Sequence, residues 1–318
     1  MKNGRNNKKS RRKKIYYYVS SIVIIILALF IGLYIYINNT FNKVEEVKVN
    51  IENIGLDPEV KEETKEETKE ETKEIRNIAL LGVDSSDEGL VGRSDSIIIL
   101  TLDNIHNKIK LTSIMRDSYV NIDGYGMDKI NHAYAYGGAE LALKTLNENF
   151  DLNISEVVIV NFNSLIGIID KLGGVNINIT QEELPHVPGI RYSGDNILNG
   201  TQALAYSRIR YATGGDYKRT ERQRTVINAI FNNMKNTPVT KYPELINEFL
   251  PYIQTNISTG DLLSLGAKFS GLAKGDISQD RFPRDGQCEG KIINGTYYLT
   301  FDIDSVKNSI KDYIFNDK

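Results

Sequence analysis

Three apolar runs stand close together in the sequence and decide the fold: Asn-Ile-Ala-Leu-Leu-Gly-Val (77–83), Ser-Ile-Ile-Ile-Leu-Thr-Leu (96–102) and Lys-Ile-Lys-Leu-Thr-Ser (108–113). Each is rich in isoleucine, leucine or valine, and each predicts a β-strand. Similar runs at 156–160 and 175–179 predict two further strands.

Helices are predicted between and after these strands from the spacing of their apolar residues. The segments are 139–150, 164–172, 201–207, 217–234, 243–250, 262–269 and 305–315. Because strands and helices alternate through the first half of this region, we predict an α/β fold in which helices cover both faces of a central sheet.

The N-terminal region has the pattern of a membrane anchor. Residues 1–14 are rich in lysine and arginine and contain no acid, and residues 15–37 carry no charge. The second segment is long enough for the ~20 residues that cross the hydrocarbon core of a bilayer, and tyrosines lie at both of its ends. A cleaved signal peptide is the alternative, but no Ala-x-Ala-like site follows. We expect a single-pass cell-membrane protein with a cytoplasmic N-terminus.

The segment 38–74 is predicted to be a charged extracellular stalk. It has little apolar periodicity, and from Lys61 to Glu74 it repeats Lys-Glu-Glu-Thr three times. Without an apolar face such a segment cannot pack, whether it is helical or disordered. We expect residues 75–318 to form one extracellular domain, which is long enough for a sizeable core.

The composition excludes several classes of site. A formal net charge of −2 does not favour nucleic-acid binding by bulk charge. The single cysteine, Cys288, excludes a disulfide within one chain, and the three histidines lack the spacing of a zinc site. Any anion site must therefore be local.

The segment Tyr206–Arg224 concentrates positive charge. Arg208 and Arg210 are two residues apart, so in an extended segment both project from one face and reach the same anion. After Gly214-Gly215, we expect Asp216 to cap a helix that presents a second anion-binding surface. Three- and four-residue spacing places four side chains on one side of this helix: Asp216, Arg219, Arg222 and Gln223. The alternative is an exposed basic helix whose arginines pair with surface acids.

Two aspartates at strand ends are candidate ligands for a metal ion. Asp84 follows the first strand, and Asp95 follows Arg93 at the start of the second. Carboxylates on rigid strands suit Mg²⁺, which prefers oxygen ligands and commonly completes its shell with water and substrate phosphate. The alternative is that both aspartates are turn or capping residues.

Three other features leave their alternatives open. Arg116-Asp117 is either part of the site or a surface ion pair, and His132 is either functional or a satisfied core or capping residue. Gly137-Gly138 is only a weak signal for a phosphate loop. The apolar residues of helix 164–172 suit one wall of a groove for a lipid chain, and core packing explains them equally well.

Taken in order, the motifs closely resemble those of the LytR-CpsA-Psr family of cell-wall assembly proteins. They are Leu-Leu-Gly-Val-Asp (80–84), Gly-Arg-Ser-Asp (92–95), Arg-Asp (116–117), Asn-His-Ala-Tyr-Ala-Tyr-Gly-Gly (131–138), Asp-Lys-Leu-Gly-Gly (170–174), Leu-Asn-Gly-Thr-Gln-Ala-Leu (198–204) and the arginine segment. The resemblance is strong over about 77–234 and weak in the C-terminal third.

The resemblance implies a central mixed β-sheet and a membrane-anchored phosphotransferase of a Gram-positive envelope. Such an enzyme moves a glycopolymer, such as teichoic acid or capsule, from polyprenyl pyrophosphate onto peptidoglycan. The implied cofactor is Mg²⁺, with Mn²⁺ as a possible substitute, and the implied partners are the lipid-linked donor, the peptidoglycan acceptor and the membrane.

The resemblance also assigns roles to individual residues. Asp84 and Asp95 match the metal-linked acids. Pyrophosphate contacts are implied for Arg93, Arg116, Arg208, Arg210, Arg219 and Gln223. Asp216 and Arg222 match further motif positions, and we place Arg222 among the pyrophosphate ligands. The residues expected to take part in catalysis are Arg93, Arg116, Arg208, Arg210 and Asp216.

The sequence departs from the family pattern at two places. Ser85-Ser86-Asp87-Glu88 stands where many members carry an arginine, and Met115 stands where proline often precedes the Arg-Asp pair. Two other functions fit the same residues: a pyrophosphatase that hydrolyses the lipid-linked glycan, and a non-catalytic envelope protein that binds the same lipid.

Overall fold

The structure, a computed structural model, describes residues 45–57, 75–85, 92–272 and 277–318. The predicted basic segment, the predicted membrane helix and most of the predicted stalk lie outside the described residues. Within those four ranges, no helix is long and apolar enough to cross a membrane.

Twenty principal elements follow one another along the described chain. The first strands are β1 (Glu45–Glu46), β2 (Ile75–Val83), β3 (Ser94–Asp103), β4 (Lys108–Ile114), β5 (Tyr119–Ile122) and β6 (Gly126–Lys129). The middle of the chain forms α1 (His132–Phe150), β7 (Glu156–Val160), α2 (Phe162–Lys171), β8 (Val175–Ile179), β9 (Gly194–Leu198), α3 (Gly200–Ser207) and α4 (Gly215–Lys235). The last elements are α5 (Tyr242–Phe249), β10 (Gln254–Thr255), α6 (Thr259–Leu272), β11 (Ile277–Phe282), β12 (Cys288–Ile293), β13 (Thr296–Phe301) and α7 (Ile303–Phe315).

The central sheet has seven strands in the order β1-β10-β7-β2-β3-β4-β11. β2 pairs antiparallel with β3 and parallel with β7, and β4 pairs parallel with β11. The sheet is therefore mixed. The predicted strand 175–179 is confirmed as β8, but it pairs with β9 in a separate two-stranded sheet.

Helices cover both faces of the central sheet, as predicted. Ala79 and Leu81 of β2 belong to one apolar cluster that includes residues of α1 and α7. Ile78 of β2 and Ile98 of β3 belong to a second cluster, which includes residues of α6 and the C-terminal part of α4. Successive side chains of a strand point to opposite faces, so one apolar run supplies both clusters.

Residues 45–57 pack against the domain, although the sequence places them in the stalk. Ile54 is fully buried and Leu56 is buried with it in the cluster that contains α1. The backbone N–H of Val47 donates to the carbonyl of Thr255 at 3.0 Å. The predicted start of the domain at residue 75 is therefore too late, because a short apolar segment precedes the charged repeats.

A buried lysine joins β4 to the end of α7. Lys110 is fully buried, and its ammonium donates to the carbonyl oxygens of Tyr313 at 2.9 Å and Ile314 at 3.0 Å. The carboxylate of Asp103 lies 2.9 Å from the same nitrogen, and that of Asp317 lies 3.3 Å away. These contacts compensate the buried charge and satisfy carbonyl groups at the helix end.

Candidate functional site

The backbone at the end of β2 and the start of β3 places two carboxylates. The carbonyl oxygen of Arg93 accepts from the backbone N–H of both Asp84 and Asp95, each at 3.0 Å. A Cβ atom on Gly92 would lie 2.6 Å from the carbonyl oxygen of Asp84, so only glycine fits there. The backbone itself therefore fixes the spacing of the two acids.

The carboxylate of Asp95 is held by groups from three other segments. Arg116, just after β4, donates to it at 2.6 Å, and the side-chain amide of Asn131 donates to it at 3.1 Å. Arg210 lies 3.7 Å away. The carboxylate of Asp95 is thus held in place and forms ion pairs with both Arg116 and Arg210.

Arg116 is surrounded by acids. Its guanidinium lies 3.5 Å from the carboxylate of Asp117 and 3.7 Å from that of Asp216. Burial alone would lower the pKa of Arg116, but the carboxylates of Asp95, Asp216 and Asp117 outweigh burial and raise that pKa. In the described structure Arg116 compensates these acids and contacts the site through Asp95.

Arg208 and Arg210 line one cavity together with the carboxylates of Asp84 and Asp95, and we call it the charged cavity. Arg208 lies at the C-terminal end of α3 with helical backbone angles and not in the extended segment on which the sequence argument relies. Ile209 between them is buried, whereas the side chains of Arg208 and Arg210 are about half exposed, at 54% and 49%. The guanidinium of Arg208 lies over the ring of Phe162, 3.9 Å from its centroid, and 4.0 Å from the carboxylate of Asp84. This stacking holds the guanidinium of Arg208 at the cavity and leaves its N–H groups free to donate hydrogen bonds to a ligand.

Arg219 is buried but incompletely paired. Only 3% of its side chain is exposed, and it contacts the carboxylate of Asp216 at 2.9 Å. Its Nε has no hydrogen-bond partner among the described residues. Burial lowers the pKa of Arg219, and the nearby Arg116 and Arg210 lower it further, although Asp216 opposes them. An anion in the cavity would relieve this repulsion.

Two predictions for helix α4 are wrong. Asp216 does not cap the helix, because the helix begins at Gly215 and is preceded by Gly214 in the left-handed region, at φ +90°. Arg222 does not reach the cavity. Its guanidinium is buried, donating from Nε to Glu183 at 2.6 Å and from NH1 to the carbonyl of Ile209 at 3.2 Å. Arg222 therefore holds the arginine segment in place.

The cavity has a volume of about 340 Å³. It is lined by Asp84, Asp95, Phe162, Arg208, Arg210, Arg219 and Gln223. Three guanidinium groups face two carboxylates, so the lining carries an excess of positive charge that suits an anion. The sequence does not single out Phe162, which lies two residues after β7 as the first residue of α2.

An apolar passage continues from this cavity. A smaller cavity of about 110 Å³ shares Phe162 and Gln223 with the first and extends to Leu165 and Ile227. These two apolar residues also line a third cavity of about 260 Å³, which lies among the sheet, α4 and α6. The charged cavity and the two apolar cavities, which we call the apolar passage, are therefore neighbours that share lining residues.

The two aspartates fit a divalent cation in their chemistry. Both carboxylates line the charged cavity, and the side chain of Asp84 is 53% exposed. Mg²⁺ is commonly held by one or two carboxylates, with water and substrate phosphate completing its shell. No group of three His, Cys, Asp or Glu side chains that could hold a metal occurs in the described ranges. Asp84 and Asp95 therefore suit an ion shared with a phosphate ligand.

Arg93 faces a neighbouring cavity instead. It is exposed and lines a space of about 370 Å³ together with Asp84, Gly92, His132, Ala135 and Tyr136. Asp84 is common to this cavity and to the charged one. The structure thus separates Arg93 from the three arginines of the charged cavity.

The model of the LytR-CpsA-Psr family matches residues 38–313. The chain belongs to this family. Among its LytR-CpsA-Psr relatives is the regulatory protein MsrR of Staphylococcus aureus (strain COL), which is 33% identical over 245 residues, covering 76% of this chain and 75% of the relative. The teichoic acid transferase TagU of Enterococcus faecalis is 36% identical over 234 residues, covering 71% and 74%.

A solved LytR-CpsA-Psr structure supports the fold of the whole domain. It is YwtF (TagT) with bound octaprenyl pyrophosphate lipid, the Bacillus subtilis protein. The two structures superpose with a TM-score of 0.62 at 26% identity, covering 77% of this chain and 92% of the other. The central mixed sheet with flanking helices is thus the architecture of the family.

Proposed function

We propose that this LytR-CpsA-Psr protein is a membrane-anchored phosphotransferase that moves an anionic or capsular glycopolymer from polyprenyl pyrophosphate onto peptidoglycan. The observation that carries the proposal is the arginine-lined cavity that opens into an apolar passage. The name of the relative TagU, a polyisoprenyl-teichoic acid–peptidoglycan transferase, and the lipid bound to TagT support it.

The pyrophosphate of the donor would bind between Arg208, Arg210 and Arg219. Guanidinium forks make paired, charge-assisted hydrogen bonds to phosphate oxygens. The polyprenyl chain would enter the apolar passage beside Leu165, since burying hydrocarbon gains roughly 25 cal/mol per Å². Helix α2 then contributes to both the lipid wall and the core, which are the two alternatives that its sequence leaves open.

In the proposed reaction a peptidoglycan hydroxyl oxygen attacks the sugar-linked phosphorus. A new phosphorus–oxygen bond forms, the bond from that phosphorus to the bridging oxygen breaks, and polyprenyl phosphate leaves with the electron pair. The hydroxyl proton passes to water or to a carboxylate. Catalysis rests on positioning and on charge stabilisation by the arginines. Mg²⁺ or Mn²⁺ held by Asp84 and Asp95 would offset the charge on the phosphate oxygens.

The test is transfer by the full-length protein in detergent, supplied with a lipid-pyrophosphate-linked saccharide, peptidoglycan chains and Mg²⁺. Mass spectrometry would detect a phosphodiester-linked adduct that disappears with a chelator. The double variant Arg208→Ala/Arg210→Ala should lose at least about a hundredfold in rate. Its unfolding temperature should not change, because both side chains are half exposed. Arg191→Ala removes an exposed arginine outside the cavity and is the matched control.

A regulatory function without transfer is the second candidate, because the relative MsrR is named a regulatory protein. It predicts tight donor binding with no product. Free saccharide phosphate without an adduct would instead indicate a hydrolase. Full transfer by the double variant would remove the arginine pair from the mechanism.

A further inference from the structure

A second polar surface lies beside the charged cavity and lines neither of the apolar cavities. We call it the tyrosine–histidine surface, formed by Tyr125, Asp128, His132 and Tyr136. His132 and Tyr136 line the cavity of about 370 Å³ that shares Asp84 with the charged cavity. This cavity has no residue in common with the apolar passage. The cavity lined by His132 and Tyr136 therefore adjoins the charged cavity through Asp84, whereas the apolar passage adjoins the charged cavity through Phe162.

The carboxylate of Asp128 fixes the rings of this surface. It accepts from the hydroxyl of Tyr136 at 2.6 Å, from Nδ1 of His132 at 2.8 Å and from the hydroxyl of Tyr298 at 3.3 Å. The hydrogen bond to Asp128 raises the pKa of Tyr136 to about 12, so its hydroxyl stays a donor. Nδ1 of His132 is bound to this carboxylate, so a ligand in the cavity that His132 lines would meet the second ring nitrogen.

The local backbone presents these rings to solvent. Tyr125 and Tyr136 stack with centroids 4.3 Å apart and an interplanar angle of 11°, yet they are 55% and 41% exposed. Gly137 and Gly138 have non-helical angles and interrupt α1 directly after Tyr136. The first turn of α1 is therefore set apart from the long segment that packs in the core.

We propose that the tyrosine–histidine surface binds a saccharide. A sugar ring has an apolar C–H face, which suits an aromatic side chain, and hydroxyl groups, which suit fixed polar side chains. Hydrogen bonds hold His132 and Tyr136 before any ligand arrives, so little ordering is needed on binding.

The position of the surface adds to this argument, which rests on the proposed function. If the lipid leaves the pyrophosphate on the side of Phe162, a glycan on the side of Asp84 lies away from the leaving group. Two glycans have that chemistry: the saccharide of the donor and the peptidoglycan acceptor. The surface is formed within one chain, so it is available to either.

The experiment measures binding to the full-length protein in detergent micelles by calorimetry. Three probes are used: an unmodified N-acetylglucosamine–N-acetylmuramic acid tetrasaccharide, polyprenyl pyrophosphate carrying a disaccharide, and polyprenyl pyrophosphate alone. The variants are Tyr136→Ala and His132→Ala. Tyr192→Ala is the matched control, because Tyr192 is 67% exposed and lines neither polar cavity. Tyr136→Phe keeps the ring and removes only the donor to Asp128.

We expect Tyr136→Ala and His132→Ala to weaken the binding of a saccharide probe at least tenfold, with lipid pyrophosphate alone unchanged. An effect on the tetrasaccharide assigns the surface to the acceptor, and an effect confined to the disaccharide-bearing lipid assigns it to the donor. Tyr136→Phe should lose less than Tyr136→Ala.

Three results would overturn the proposal: unchanged affinity for both saccharide probes, equal weakening of all three probes, or no saccharide binding by the unaltered protein. Because binding is measured without a reaction, the outcome is separate from that of the transfer assay. Saccharide binding that depends on Tyr136, in a protein that forms no adduct, would reject transfer and retain this surface.

Discussion

Arg219 and Arg222 lie one helical turn apart in α4 and have different surroundings. Arg219 borders the charged cavity with its Nε unpaired, whereas Arg222 is bound to Glu183 and to the carbonyl of Ile209. Both are almost fully buried. Burial therefore does not distinguish an arginine that can bind a ligand from an arginine that only supports the structure. The hydrogen-bond partners of the guanidinium do distinguish them.

Removing Arg222 should destabilise the protein strongly. Arg222→Met leaves the carboxylate of Glu183 buried without its cation, and breaking such a pair costs about 3–5 kcal/mol. Denaturant unfolding would measure this loss, and Glu183→Gln/Arg222→Met should restore part of it. Arg219→Met should lose less stability, because Asp216 is 31% exposed, but more affinity for pyrophosphate. The reverse order of the two effects would contradict these assignments.

The sequence predicts the residues of the cavity better than it predicts their individual roles. Spacing places Arg208 and Arg210 together because only the buried Ile209 separates them. Spacing also groups Arg222 with Arg219, which is wrong because Glu183 lies 39 residues earlier in the chain. A partner that distant leaves no local signal.

Between elements, the contact of α2 with α3 sets the position of Arg208. A Cβ atom on Gly200, the first residue of α3, would lie 2.4 Å from the carbonyl oxygen of Ile166 in α2. The carboxylate of Asp170 accepts from the N–H of Gly200 at 2.7 Å. The far ends of these helices carry Phe162 and Arg208, which stack at the cavity.

We expect Gly200→Ala to separate α2 from α3. Overpacking of this kind costs about 1–3 kcal/mol, and the displacement should also weaken pyrophosphate binding because it moves Arg208 from Phe162. Thermal unfolding and calorimetry with pyrophosphate would measure the two losses. Gly260→Ala is the control, since its nearest neighbour is the Ser258 hydroxyl at 3.8 Å. A stable Gly200→Ala variant with unchanged affinity would show that the helices adjust without loss.

The prediction of elements from the sequence succeeds where apolar runs are buried and fails at exposed edges. All the predicted helices and strands are present, and apart from the start of α1 their ends lie within three residues of the expected positions. α1 begins earlier than predicted, because Gly137-Gly138 interrupts the helix without ending it. The sequence does not predict β11, since its central residues are polar and it lies at the edge of the central sheet. β9 and β12 likewise contain several polar residues, and β13, although rich in aromatic residues, pairs only with β12 and lies outside the central sheet.

Across the whole molecule, a charged cavity and an apolar passage share one ligand in our proposal. The stabilisation of the folded state by that ligand should therefore grow with the length of its hydrocarbon. At equal concentration, the rise in unfolding temperature should be smallest with inorganic pyrophosphate, larger with geranyl pyrophosphate and largest with longer prenyl pyrophosphates. At a concentration of 100 times Kd the effect is about 2.7 kcal/mol. Equal shifts for the three ligands would show that the passage does not hold the chain, and a prenyl alcohol tests the contribution of the charged end.

The stability of the domain should fall in acid. Burial opposes the ionisation of Asp103, but hydrogen bonds from Lys110 and His106 lower its pKa below the ordinary value of 3.8. Burial also opposes the ionisation of Glu183, but hydrogen bonds from Thr180 and Arg222 lower its pKa below the ordinary value of 4.5. A lowered pKa in the folded state adds stability above the unfolded value, and this stability is lost as pH falls through the folded value. We expect a constant free energy of unfolding from neutral pH to about pH 5 and a decrease below it. Glu183→Gln should reduce that decrease, and an unchanged pH profile would contradict the assignment.

The contacts of Lys110 also determine when during biosynthesis this buried charge can be fully paired. The carbonyl of Tyr313, which accepts from Lys110, lies 203 residues later in the chain. At about 5–20 residues per second, roughly 10–40 s pass between the synthesis of the two residues. Among the described residues that contact this ammonium, only Asp103 has been made by then, and burying a charge with few partners is unfavourable. Lys110 on β4 therefore gains its full set of partners only when α7 and the residues after it have been made.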